Sequence, residues 1–392
     1  MAPTSSGREM APLDVELHDR LDDVPWWDDV AGFAGLYSSS RWMRIFEPLA
    51  PRYVTVREPE GAPVALAAVY AATAPRTLPR PCEPPWILHG DPAADGLFPF
   101  AFAGSPRGYT NRLLVRPGVT PELRRQAVRR LLETARELAA GAGAALLAVG
   151  YIRGEEMEEV AAVLPALAVY AGCEAYLPVQ PFDDYLASLN HHRRYAVRRE
   201  LRRFEAEGLR LVDARFGDVL DASMPLVLAH MARYGLVVPP ERGRAELARW
   251  ATAWDEDARA LCAYRGDELE GVACFIRQGD ALYCRFAACS EDRVASPYFT
   301  LTFYEALRAA HAGGLREIHY GIETLEAKLN RGCRTRLLWS AVLPMGDWHP
   351  AIAGRVREAS RARLATDMAL VERYGAGEDG ERLPADRFLR DG

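Results

Sequence analysis

Of the 48 basic side chains in this chain all but one are arginine, and the exception is Lys328. A composition rich in Ala and Arg fills ordinary positive positions with arginine, so the one lysine points to a task that arginine does badly. An ammonium is compact, carries three rotatable donors and has a shiftable pKa, whereas a guanidinium is a planar fork that stays charged. Those properties suit a group that stabilises an oxyanion or exchanges a proton. Glu326 stands two positions earlier, and if the segment is extended both side chains share a face. The carboxylate would then orient the ammonium or accept a proton itself. Lys328 and Glu326 are therefore the catalytic candidates. The plainer alternatives are a lysine left by composition and a surface carboxylate on a turn.

Binding candidates surround that pair. Tyr298, at the start of a helical pattern, and Tyr234, after His230 and Met231, would line an acceptor pocket or else pack in the core. Upstream, Arg194, Arg198 and Arg202 recur every fourth residue with Arg193, Arg199 and Arg203 beside them, giving one helical face a stripe of guanidinium groups. Such a stripe makes salt-sensitive contacts to phosphates. The alternative is a solvated face paired with Glu200, Glu205 and Glu207.

Other chemistry finds little support. The net charge of -6 argues against a general nucleic-acid coat, so a polyanion would have to be met locally and DNA is not expected as a partner. The seven cysteines are odd in number and lack the paired spacing of a zinc site, which fits reduced thiols in the cytoplasm. His191 and His192 point about 100° apart on a helix, a poor two-ligand geometry, and His230, His311, His319 and His349 are isolated. No metal site and no bound cofactor are expected. No window holds the roughly 18 apolar residues needed to span a bilayer.

Positioning these residues takes two α/β units. Residues 1–25 lack periodicity and read as a loose terminus. Residues 53–58 and 63–71 alternate as a hairpin, 112–115 reads as a third strand, 122–139 as an amphipathic helix stopped by Gly141 and Gly143, and 144–149 as a buried strand. The order repeats in 260–264, 270–277, 281–288, the helix 298–312 stopped by Gly313-Gly314, and the strand from 317. The segment 183–208 reads as one long helix with Leu186, Leu189, Ala196, Val197, Leu201 and Phe204 on its apolar side. The boundaries drawn are 26–180 and 181–350, joined near Pro178 and Pro181, with 351–392 as a helical tail.

The β, β, β, α, β order is that of a GNAT half, and from Tyr185 onward the chain resembles the FemAB-like and FemX-type tandem-GNAT proteins. Three segments carry the resemblance: 188–209, ending in Glu-Gly-Leu; Leu282-Tyr283-Cys284-Arg285-Phe286; and Gly321 through Glu326-Ala327-Lys328 to Arg331-Gly332. The second departs from the family, with Cys284 where a glycine is usual. The resemblance implies two GNAT-like domains, each a mixed twisted sheet flanked by helices. It also implies transfer of an acyl group onto an amine, with several members using aminoacyl-tRNA. Lys328, Glu326, Arg331 and Gly332 match the Glu-x-Lys-x-x-Arg-Gly signature, and the resemblance implies substrate-binding places for Arg331, Tyr283 and Arg285.

The acyl donor is argued from what coenzyme A would need. A CoA pyrophosphate is held by free N–H groups at a glycine-rich helix start. Arg116-Pro117-Gly118-Val119-Thr120-Pro121 places two prolines there, and Arg293-Val294-Ala295-Ser296-Pro297-Tyr298 has no glycine. Aminoacyl-tRNA is accordingly the expected donor, held by Arg194, Arg198 and Arg202, with the amine of a small natural product or cell-wall precursor as acceptor. An acyl-CoA-dependent N-acyltransferase and a non-catalytic binding module are the alternatives.

Overall fold

Residues 12–32, 34–59, 61–73, 88, 91–290, 296–346, 350–375 and 377 are described by the computed structural model. They fall into two compact units, one of residues up to Ala171 with Trp339–Ser360, the other of Gly172–Leu338 with the described residues from Arg361 onward.

In the first unit the alternating runs become β1 (Asp14–His18), β2 (Arg52–Arg57), β3 (Pro63–Ala72), β4 (Phe100–Ala103), β5 (Leu114–Val115) and β6 (Leu146–Arg153). The sheet runs β1-β2-β3-β4-β6, with β5 beside β3. Its pairs are antiparallel except β4 and β6, which run parallel on either side of the helix Pro121–Gly141. That helix starts where the Thr120 side chain accepts from Leu123 N, and it buries Val128, Leu131, Leu132 and Ala135 on the sheet.

Two expectations are corrected here. Residues 14–18 are not loose: Val15 and Leu17 alternate with polar neighbours as an edge strand on β2, while residues 1–11 lie outside the described residues. The third strand of the unit is β4, four buried residues in the run Phe-Ala-Phe-Ala, whereas 112–115 supplies only the two residues of β5. The short apolar run gave no alternation to read.

The chain enters the second unit within β7 (Leu167–Pro178), so the division falls inside a strand and not at the prolines that follow it. Then come β8 (Arg210–Arg215), β9 (Ala258–Arg265), β10 (Glu268–Gln278), β11 (Ala281–Cys289), β12 (Glu317–Gly321) and β13 (Arg334–Pro344). In this unit the strand order is β7-β12-β11-β10-β9-β8, with β11 and β12 parallel. The helix between them, 296–312, has a π-helical segment at Thr300–Glu305. The β, β, β, helix, β order thus recurs. From Trp339 onward β13 belongs to the first unit, where it lies beside β6.

The expected single helix 183–208 is two helices, Phe182–Ser188 and His191–Ala206. Asn190 breaks it: its side chain accepts from Arg193 N and starts the second helix as an N-cap. The expected tail helix is present as Pro350–Tyr374.

Candidate active site

A parallel strand pair that comes apart leaves backbone groups to be satisfied. In the second unit β11 and β12 pair only from Ala281↔Glu317 to Tyr283↔His319. Beyond that point β12 continues to Gly321 and β11 to Cys289, so the two strands fork. Lys328 sits at the fork: its Nζ donates to Tyr320 O at 2.7 Å and to Gly321 O at 3.0 Å, the first two β12 carbonyls past the last pair. The other edge is more open, because Cys284, Arg285 and Phe286 are half-buried within an otherwise buried strand. The register with β10 passes from Phe275↔Cys284 to Cys274↔Phe286, so Arg285 is the extra residue of a bulge, and its guanidinium lies over the Trp250 ring at 5.0 Å.

Lys328 is 7% exposed. Burial pushes its pKa down to about 8, against smaller opposing effects from Cys333, Cys284 and Glu323. Cys284 and Cys333 are themselves pushed up to about 12 by burial, so both stay thiols at neutral pH. The Tyr298 hydroxyl is likewise raised by burial, with Cys284, Tyr234 and Cys289 close by. Cys284 thus lies within electrostatic reach of both Lys328 and Tyr298, and Tyr234, which is exposed, within reach of Tyr298.

Glu326 does not join them. Leu325–Leu329 is helical, so positions two apart point about 200° apart and the shared face expected of an extended segment is lost. The Glu326 carboxylate is exposed and accepts from Arg373 Nη1 at 3.1 Å and the Tyr374 hydroxyl at 3.2 Å, tying down the end of helix Pro350–Tyr374. Arg331 is buried: its guanidinium donates to Ala327 O and to Glu200 Oε1 at 2.8 Å and lies over Phe299. The second Glu200 oxygen accepts from the Tyr304 hydroxyl. Gly332 holds φ +80, and a Cβ there would lie 2.8 Å from Leu189 Cδ2, so glycine is required. Each residue of the signature thus has its own set of neighbours.

Tyr283 stacks on His319 at 4.4 Å between ring centroids, on the last paired rung before the fork. His319 Nδ1 lies 2.8 Å from Glu174 Oε1, and Glu317 accepts two hydrogen bonds from Arg336. Sequence reasoning left out Glu174 and Tyr304, gave Glu200 only to the arginine stripe, and set His319 aside as isolated. The only signal for them would have been a polar residue inside an apolar run, as in Gly-Cys-Glu174-Ala-Tyr.

The arginine stripe divides. Arg194 spends its guanidinium on Leu186 O, Ala187 O and Leu189 O, the carbonyl end of the preceding helix, so it holds the helix pair together. Arg198, Arg199, Arg202 and Arg203 are exposed and pair with no described residue. The pairing expected with Glu200 and Glu207 is not made, because those carboxylates turn to Arg331 and Arg265. The inner side of the helix, through Glu200, meets Tyr304 and Arg331.

Two other expectations concern donors and metals. At the first helix start Thr120 occupies Leu123 N and Pro121 offers no N–H, which leaves little for a pyrophosphate. Residues 293–295 of the second candidate loop, like Cys82 and His349, lie outside the described residues. Among the described residues no group of three His, Cys, Asp or Glu is placed to hold a metal, and no helix is long and apolar enough to cross a membrane.

Solved structures share this fold. FemX shares the fold, with a TM-score of 0.55 at 12% identity over 83% of this chain and 96% of that one. A conserved protein of unknown function from Bacteroides thetaiotaomicron gives 0.54 at 14% identity, covering 84% of this chain and 100% of that one. L-PGS from Bacillus licheniformis gives 0.50 at 12% identity, covering 87% of this chain and 97% of that one. No curated protein matches by sequence. The profile of the FemAB-like family, described as peptidoglycan biosynthesis/recognition, matches residues 101–373, a span that includes the whole fork, and the chain belongs to that family with a tandem GNAT-like fold.

Proposed function

We propose that this acyl- or aminoacyl-transferase takes its acyl group from aminoacyl-tRNA and places it on the amine of a small natural-product or cell-wall precursor. The observation that carries the choice of donor is the band of four exposed arginines, paired with no described residue, on the helix whose inner side meets Tyr304 and Arg331. On a chain of net charge -6 such a band needs an anionic partner, and a nucleic-acid backbone supplies phosphates at matching density.

The chemistry follows from direct attack. The amine nitrogen bonds to the ester carbonyl carbon, the electron pair moves onto the carbonyl oxygen, and collapse expels the ribose oxygen, which takes the proton the amine gives up. No enzyme-bound intermediate is required when the two reactants are held together. Two N–H groups of Lys328 are committed to Tyr320 O and Gly321 O, which leaves the third to donate to the oxyanion in this reading. Tyr298 and Tyr234 border the space where the acceptor would lie.

The test is incubation with a charged total-tRNA pool carrying radiolabelled amino acids and a set of small amines, with ribonuclease-treated and acyl-CoA arms. Ribonuclease-sensitive labelling of an amine is the expected result. Labelling that survives ribonuclease and requires a CoA thioester would replace the donor, and no turnover with either would make the chain a binding module.

A further inference from the structure

The helix His191–Ala206 carries more than arginines on its outer side. Tyr195, Arg198, Arg199 and Arg202 follow one another at positions i, i+3, i+4 and i+7, so all four side chains share one stripe. Tyr195 is 55% exposed and makes no hydrogen bond or ring contact with a described residue. The three arginines beside it are exposed as well. Val197 and Phe204 are buried on the opposite side, and Glu200 is turned inward to Tyr304 and Arg331. The stripe is left with Glu205 at its edge and no carboxylate within it.

A single exposed aromatic ring is ordinary on a protein surface. Its place on the axis of a cationic stripe is what gives this one a task. From Tyr195 to Arg202 the helix rises about 10 Å, a length covered by roughly three phosphates of one strand at about 3.4 Å each. A strand lying there brings bases as well as phosphates to the stripe, and an exposed ring is a platform for an unpaired base, since every base has a π-face. Duplex RNA offers no such partner, because its bases stack on one another and its deep major groove is closed to side chains. An acidic polypeptide would pair with the arginines and leave the ring unused.

We propose that this helix binds a single-stranded segment of RNA, with Tyr195 stacking on an unpaired base and Arg198, Arg199 and Arg202 contacting the phosphates that follow it. This rests on the tRNA donor put forward above and names the ring and the kind of RNA segment that meet. Fluorescence anisotropy of the full chain with a short unstructured RNA strand, the same strand in a duplex, and polyglutamate tests it. The single strand is expected to bind tightest. Tyr195→Ala weakens that binding about 5- to 100-fold with its salt dependence unchanged, and Tyr195→Phe, which keeps the ring, does not. Duplex binding stays the same in both variants, which also reports that the chain is folded. Arg198→Gln and Arg202→Gln act differently, each lowering the log-log salt slope for the single strand by about 0.7. Equal losses for strand and duplex at Tyr195→Ala, no loss for the strand, or a Tyr195→Phe protein as weak as Tyr195→Ala would overturn the stacking role and leave the tRNA donor standing. Polyglutamate bound as tightly as the strand would give the helix to an acidic protein and overturn the proposal. Binding of neither RNA would overturn the proposal and the tRNA donor together.

Discussion

Arg331 and Glu200 lie 131 positions apart in the chain and 2.8 Å apart in the protein, both largely buried. With Tyr304 on the other carboxylate oxygen, the pair fastens the basic helix to the helix beside the fork. Removing one partner leaves a buried charge without compensation, so Glu200→Gln is expected to cost about 3–5 kcal/mol in denaturant unfolding. A double variant, Glu200→Gln with Arg331→Met, should recover part of that loss. Strictly additive losses would mean the two groups do not depend on each other.

Lys328 predicts a pH dependence with a definite sign. Its folded pKa of about 8 lies below the ordinary 10.5, so between those values the folded chain has released a proton that the unfolded chain still holds. The contribution of this group to stability therefore rises with pH across that window, being absent below it and complete above. Turnover should move the other way, falling as the ammonium is lost through pH 8. A Lys328→Met protein whose stability profile across that window matches the wild type would show that the lysine titrates elsewhere.

Exchanging Lys328 for arginine keeps the charge and loses the shape. The larger fork cannot place two donors on Tyr320 O and Gly321 O in so closed a site, and turnover should fall on the order of 100-fold with less change in KM. Thermal unfolding reports separately whether the fold survives. Near-native kcat in this variant would end the assignment of Lys328 as the oxyanion donor.

Charge reversal at Arg198, Arg202 and Arg203 should weaken donor binding and flatten its salt dependence, by about 0.7 to 0.9 in the log-log slope for each phosphate no longer neutralised. Arg194→Ala is the internal contrast. Its guanidinium is held by three backbone carbonyls, so the variant should lose stability and keep the slope. If Arg194→Ala alone flattened the slope, the division of the stripe would be wrong.

Much of the architecture could be read from periodicity, because 122–139 and 281–288 carry clean helical and strand patterns and repeat in the same order. β4, β7 and β13 escaped notice because strands apolar on both faces leave no alternation to detect. At the site, composition alone singled out Lys328. Its partners were invisible, since two backbone carbonyls have no residue type to recognise, and Glu200 reaches Arg331 only through the fold. Glu326 misled through a conditional assumption of extended backbone that a single turn of helix reversed.

The return of Trp339 onward to the first unit has a consequence during synthesis. The edge of β6 is completed by a strand translated roughly 190 residues after it, a delay on the order of 10–40 s at ribosomal speed. Throughout that interval the nascent first half presents an unpaired apolar strand edge, the kind of surface that chaperones hold and that aggregates form from. Stop codons or ribosomal stalling between β6 and β13 would release a chain that no local refolding can repair.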